Sequence, residues 1–465
     1  MNIVHFNQAL RFAAETLHSE RLAPDVPVLL VRDVYGRLRF AVDCERSDYP
    51  PAAREWLERG SARLGRFAGT ASPLFHDDLF LPASVFESPE ILDMILPGRV
   101  MDDGQRESDI AIRILDRQII GQDWLRPTPK SASVEQRPPR LIFYGLKGGV
   151  GRSTALAMLA YRAAHMGKRV LLLDFDLESP GLSGLLLPPE RMANFGIVDW
   201  FVEDGVGQGD SVLDDLVSDS PLADELPGSI RIAAAMGHEE TAYLDKLARV
   251  YADTPSSSGP ERFAARMHRL VETLQMREKP DVVLIDSRAG LHDLAAISIV
   301  GLATTAYLFA TDTAQSWQGY RQLFGHWQKH PTIARAVRER LCVVQALFPA
   351  SDQLRRAERF LEHAHQLFTD TLYEEIASGA EPDADVFNFA LNDESAPHQP
   401  VRIHWSEWMQ EFDPLLLDQG IHRDQDIEAV FGQLFNHALS EIAGADEIFS
   451  YYFAKALQEK SQDKT

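Results

Sequence analysis

A chain of 465 residues, 45% of them hydrophobic, can bury more than one core, and length predicts about two to three domains. Its two cysteines, Cys44 and Cys342, have no partner at metal-ligand or redox-motif spacing, which excludes a disulfide framework or a zinc site and suits a reducing cytoplasm. The net charge is −23, with 23 Asp and Glu against eight Lys and Arg in residues 351–465; that excess opposes non-specific nucleic-acid binding, which needs clustered cations.

The N-terminal Met-Asn-Ile-Val-His-Phe-Asn-Gln lacks a basic stretch leading into an apolar one, so no secretory leader is expected. Residues 1–125 read as a small α/β accessory domain. An amphipathic helix over 6–17 precedes a strand over 27–34, a hairpin turn at Tyr35-Gly36-Arg37, a strand over 38–42 and a later alternating strand over 110–115. No chemical motif falls there, which leaves a docking or regulatory role. Residues 126–139 carry four prolines and little apolar periodicity, the composition of an exposed linker.

From Arg140 short apolar strands alternate with longer helical segments, the pattern of a parallel sheet covered by helices. The uncharged run 294–311 is nearly long enough to span a bilayer, but Gly301 and Thr304-Thr305 divide it into a helix followed by a strand. Residues 351–465 form an acidic, mainly helical region. Ile427, Val430, Phe431, Leu434, Phe435, Ala438, Leu439 and Ile442 line one helix face, and a second helix is expected after Gly444, with Ile448, Phe449, Tyr452 and Phe453 on one side. Lys455 and Lys460 alone give that last helix too weak a basic face for a membrane surface, which favours core packing or a partner contact.

One stretch carries chemistry. Leu141–Tyr144 is a buried strand, Gly145-Leu-Lys-Gly-Gly-Val-Gly-Arg-Ser-Thr154 is a glycine-rich loop, and a helix follows over 155–166. Phosphate needs inward backbone N–H groups with no Cβ in the way. Gly148, Gly149 and Gly151, with Val150 among them, supply that access, and the helix N-terminus adds its positive end. The Ser153 hydroxyl is placed for Mg²⁺ and Thr154 for an α-phosphate oxygen. Arg152 stands where such loops usually have lysine, while Lys147 is an extra lysine just before the paired glycines.

Two further strands end in carboxylates. Lys168–Asp176 finishes in Asp174 and Asp176, and Pro280–Asp286 finishes in Asp286, at the strand edge where open α/β sheets bind ligands. Ser287-Arg-Ala-Gly290 follows the second, and Leu341–Gln345 forms another apolar strand. A glycine turn, solvated aspartates or a helix-capping Asp would each explain one piece. Their common order, each at a strand end, points to a nucleotide site.

With these strand ends, Lys147-Gly-Gly-Val-Gly-Arg-Ser-Thr154 resembles the deviant Walker-A ATPases of the ParA/MinD-like family, which includes Mrp-type carriers and nitrogenase iron proteins, in its arginine-bearing branch. The resemblance covers about residues 140–350. It implies a P-loop NTPase fold, a mostly parallel doubly wound sheet with ATP and Mg²⁺ as ligands. By that match Lys147 reaches across a face-to-face homodimer, and Asp176 in switch I orients or activates the attacking water. Asp174 and Asp286 serve the Mg²⁺ shell, Gly290 offers its N–H to a γ-phosphate, and Gln345 replaces an adenine-contacting Asn. Arg152 keeps the positive charge in a planar fork, so nucleotide binding is expected with slow turnover.

The implied function is a dimerising ATPase switch that regulates an unknown partner protein, in a bacterial multi-gene conflict or signalling module. The alternative is an ATP-bound scaffold or sensor with little turnover; charge weighs against DNA partitioning and membrane positioning. His292, His363 and His365 lack metal-site spacing, and Arg288 beside Asp286 reads as an ion pair more than a catalytic finger. Tyr451-Tyr452 is too short for a tyrosine-kinase tail.

Overall fold

Alternation in Ile110–Asp116, with Ile110, Ile112 and Ile114 buried and Ala111 and Arg113 exposed, makes one face of a sheet a core surface. The computed structural model describes residues 3–78, 83–101, 105–127, 137–238, 242–255, 259–376, 386–419 and 424–443. They divide into two units, residues 1–125 with 323–336, and residues 126–322 with 337–465.

The first unit contains α1 (Phe6–Leu17), β1 (Val28–Arg32), β2 (Leu38–Val42), α2 (Pro51–Arg63), β3 (Ile91–Leu96) and β4 (Ile110–Asp116). Its sheet has the order β2-β1-β4-β3, with β1 and β4 parallel and the outer pairs antiparallel. Gly36, at φ +80°, makes the expected hairpin turn. The elements α2 and β3 were not anticipated. Residues 323–336, inside the stretch expected to form the ATPase domain, belong to this unit. The Ile95 N–H of edge strand β3 donates to the Lys329 carbonyl at 2.7 Å. The Trp327 indole donates to the Trp124 carbonyl at 3.0 Å, with the two rings 5.9 Å apart. An edge strand needs such cover, but the covering segment lies far along the chain and carries no sequence mark of the task.

The second unit runs β5 (Arg140–Gly145), α3 (Arg152–His165), β6 (Arg169–Phe175), α4 (Leu182–Leu186), α5 (Ile197–Gly205), β7 (Val217–Asp219), β8 (Ser229–Ala233), α6 (Tyr243–Val250), α7 (Phe263–Glu278) and β9 (Val282–Ser287). It continues with α8 (Asp293–Ala296) leading into a π turn, β10 (Thr305–Ala310), α9 (Ala314–Gln328), α10 (Pro331–Arg338), β11 (Leu341–Phe348), α11 (Gln353–Thr371), β12 (Val401–His404) and α12 (Asp424–Ile442); residues 323–336 of α9 and α10 are those of the first unit. The strand order is β12-β11-β10-β5-β9-β6-β8-β7, and every pair but β7–β8 is parallel. Every residue of β5 and β9 is buried, which explains the apolar runs Leu141–Tyr144 and Val282–Ile285 within them.

β5 sits between β9 and β10, with its later connections running to both sides, so the ligand crevice of this doubly wound sheet opens beyond its C-terminal end. The run 294–311 forms the expected helix and strand. The acidic C-terminal region contributes strand β12 as well as α12, which lies on α3: Arg162 pairs with Glu428 at 2.8 Å and sits 4.9 Å over the Phe435 ring. The expected helix after Gly444, Tyr451-Tyr452 and linker residues 128–136 lie outside the described residues. Among the described residues no helix is long and apolar enough to cross a membrane.

His326 and His330 are packed into the first unit with their rings 5.7 Å apart. Burial, aided by His330 and Lys329, pushes His326 down to about 4. The unfolded chain therefore binds this proton more readily below about pH 6.5, and stability is lost as pH falls through that value toward 4. His326→Gln should remove about 2 kcal/mol of the stability difference between pH 7 and pH 5, read from denaturant melts of the two proteins.

Candidate functional site

Strand ends in register bring the carboxylates together. Asp174 on β6 lies opposite Asp286 on β9, and Phe143 on β5 lies opposite Asp286, so the glycine loop after β5 opens beside both acids. Gly149 and Gly151 take φ values of +75° and +80°, where a side chain would strain the loop, and a Cβ at Gly148 or Gly149 would meet only open space. Open space beside glycine backbone, at the N-terminus of α3, is the arrangement a phosphate requires. Thr154 lies partly exposed in the first turn of α3.

Asp174 is fully buried and accepts N–H bonds from Asp176 at 3.1 Å and Leu182 at 3.3 Å. Burial and the facing Asp286 hold its carboxyl well above the usual range. Asp286 is 2% exposed and is likewise raised, by burial, against the opposing pull of Arg152. The Ser153 hydroxyl donates to Asp286 Oδ2 at 2.5 Å, while Asp286 Oδ1 is buried with no hydrogen-bond partner. A hydroxyl, a carboxylate with an unused oxygen and a second carboxylate across the strand pair fit an Mg²⁺ shell completed by water and phosphate. Among the described residues no three His, Cys, Asp or Glu side chains form a metal cage of their own.

Arg152 is 7% exposed and links three parts of the site. Nη2 lies 3.5 Å from Asp176 Oδ2, Nη1 donates to the Ser287 carbonyl, and the side chain leaves from the first turn of α3. Burial raises the Asp176 carboxyl, and Arg152 and then Arg288 oppose the rise. Lys147 Nζ donates to Gln315 Oε1 at the start of α9.

Other expected residues have less open positions. The Gly290 N–H, expected to face phosphate, donates to the Gly145 carbonyl at 3.1 Å, and the Gly290 carbonyl accepts from the Tyr144 hydroxyl at 3.1 Å. Gln345 is 3% exposed, and its Oε1 accepts from Arg402 Nε at 3.3 Å. Arg288 pairs with Glu178 rather than with neighbouring Asp286, because the buried end of β9 turns Asp286 inward to Ser153 while the next loop carries Arg288 toward the chain that follows β6. His363 bonds Asp312 Oδ1 at 2.9 Å, beside Arg359 and Trp317 on the same carboxylate. Gln315, Glu178 and Arg402 escaped the sequence reading because each meets the site through a partner distant in the chain.

Residues 141–371 match the CobQ/CobB/MinD/ParA nucleotide binding domain. Among solved structures, a ParA family ATPase from Chlorobium tepidum TLS is similar at 15% identity, over 65% of this chain and 98% of that one, with a TM-score of 0.39. The MinD cell division protein of Aquifex aeolicus is similar at 17% identity, over 64% and 97%, with a TM-score of 0.39. A Cyanothece McdA variant in complex with ATP is similar at 13% identity, over 66% and 96%, with a TM-score of 0.40. No curated protein matches the chain.

The paired acids give a test. A carboxyl whose folded pKa is raised costs stability above the ordinary value of about 4, and the cost grows until pH passes the raised value. Asp286→Asn should therefore raise the melting temperature of the ligand-free protein at pH 8 by about 2–4 °C, equivalent to about 1 kcal/mol, with the gain shrinking toward pH 5. The same variant should lose the further stabilisation that Mg-ATP gives the unsubstituted protein, as read by scanning calorimetry.

Proposed function

With residues 141–371 forming a ParA/MinD-like P-loop ATPase domain, we propose that this chain is a Mg-ATP-dependent switch that dimerises across its nucleotides and regulates a partner protein. The observation that carries the reading is the Ser153–Asp286 pair with its unused carboxylate oxygen, set under an open glycine loop and beside Asp174.

The loop amides and the α3 N-terminus would hold the phosphate chain, Ser153, Asp286 and Asp174 would hold Mg²⁺, and the cation would neutralise phosphate charge there. Asp176, at the strand edge, orients water for attack on the γ-phosphorus. The bond to the β–γ bridging oxygen then breaks, ADP leaves with that oxygen, and the proton of the attacking water passes to an oxygen of the released phosphate. Lys147 is partly exposed on the loop, which suits a role at the nucleotide of a second copy, once Gln315 lets it go. The excess of negative charge argues for a protein partner over a polyanion.

Arg152 favours a second reading, a nucleotide-holding scaffold with little turnover. Phosphates must compete with Asp176 and the Ser287 carbonyl for its guanidinium. While Arg152 stays on Asp176, that carboxylate is not free to orient water. Lysine in its place has no fork to span both partners.

Single-turnover hydrolysis with purified protein separates the readings. Asp176→Ala should slow phosphate release by about 100-fold or more with ATP still bound, and Arg152→Lys should speed it by about threefold to tenfold. Phosphate release that does not depend on Asp176 would sink the switch and leave the scaffold.

A further inference from the structure

The chain after Asp176 and the chain after Asp286 meet on one carboxylate. Glu178, two residues past Asp176, pairs through Oε1 with Arg288 Nη1, two residues past Asp286. The same oxygen accepts the Tyr251 hydroxyl, and His292 Nε2 lies 3.8 Å away. Tyr251 also packs against the His292 ring, with centroids 5.5 Å apart. A second tyrosine of that segment, Tyr243, donates its hydroxyl to the Leu177 carbonyl at 2.6 Å. The segment between β8 and α7 therefore braces switch I at two successive residues, through a side chain and through the backbone.

We propose that Glu178 is a positioning residue for the ATPase reaction, a clasp that locks the chain after Asp176 (switch I) to residues 287–290 after Asp286 (switch II) and to the Tyr243–Tyr251 segment so that Asp176 and Asp286 keep one spacing. The inference rests on the reading of Asp176 as the water-orienting group.

An exposed ion pair contributes at most about 1 kcal/mol and holds nothing in place. This pair is different in kind. The Glu178 and Arg288 side chains are only 24% and 28% exposed, and Glu178 Oε2 is buried with no hydrogen-bond partner of its own. Two donors from distant segments, Arg288 and Tyr251, converge on Oε1 with the His292 ring beside them, so the carboxylate cannot turn without breaking both contacts together. Its neighbours gain from its charge as well. Arg288 is kept at Glu178 and away from Asp176, leaving Arg152 as the cation in contact with the catalytic carboxylate. Loss of Glu178 would leave the largely buried Tyr251 hydroxyl without its acceptor and free the Arg288 guanidinium to swing toward Asp176. Both changes disturb the placement of Asp176 without touching the glycine loop that holds phosphate. The chemistry should suffer while binding is spared.

Glu178→Gln keeps the shape and can still accept from Tyr251, but it loses the charge that holds Arg288. Counted per bound nucleotide, so that any loss of folded protein drops out, the full-length variant should turn over Mg-ATP about tenfold to a hundredfold more slowly, with KM changed by less than about threefold. Arg288→Gln should give the same split, and the double variant should be no slower than the worse single one, since both remove one shared contact. Hydrogen exchange in residues 176–182 and 287–292 should rise together in each variant, with or without nucleotide. Turnover within twofold of the unsubstituted protein and unchanged exchange would overturn the proposal, as would a lowered melting temperature with kcat per bound nucleotide intact. Absence of turnover in the unsubstituted protein would fail the ATPase reading instead, and joint loosening of the two switches would then still decide for or against the clasp.

Discussion

Three carboxylates crowded at the ends of two adjacent strands are the constraint around which the nucleotide-binding unit is arranged. Asp174 and Asp286 face each other in the parallel register of β6 and β9, both nearly without solvent, and Asp176 follows two residues on. Burial alone would drive protons onto them. The fold answers with backbone amides on Asp174, the Ser153 hydroxyl on Asp286 and the Arg152 guanidinium on Asp176. The answering groups come from the first turn of α3 and from the backbone of Asp176 and Leu182, after β6. Loop, helix and both strands are thus fixed relative to one another by the need to satisfy these acids, and a divalent cation with phosphate would satisfy them further.

Arg152 has a special place in that balance. A lysine would offer one compact charge to phosphate; the guanidinium also reaches the Ser287 carbonyl and Asp176, so it touches the last residue of β9 and the residue that follows β6. Phosphate binding and the freeing of Asp176 become linked through one side chain. Glu178 makes a second link farther out, joining the chain after β6 to that after β9, with Arg288 and Tyr251 as its partners. The two charged links lie on either side of Asp176 in the chain, and nucleotide chemistry has to work between them.

Much of the nucleotide-binding unit was legible in the sequence, because its signals are local. The apolar runs of β5, β6 and β9, their terminal aspartates and the glycine loop each lie within ten residues, and the structure brings Ser153, Asp174, Asp176 and Asp286 together as the motif order implied. What could not be read is held by contacts between distant residues. Arg288 was expected beside Asp286, its neighbour in sequence, yet it bonds Glu178; the Gly290 N–H is taken by the Gly145 carbonyl, and the Gln345 side chain by Arg402. The grouping of Leu323–Ala336 with the N-terminal unit is the same lesson at a larger scale, since nothing in Trp327 or Lys329 names Trp124 or Ile95 as partner.

The central claim is that glycine loop, hydroxyl and strand-end carboxylates form one site for a nucleotide with its cation. Isothermal titration of ATP into the purified chain, with Mg²⁺ and again with excess EDTA, tests it directly. One nucleotide per chain is expected, bound about tenfold or more weakly without the cation and weakened to a similar degree by Ser153→Ala. Binding of equal strength in both buffers, or no binding in either, would contradict it.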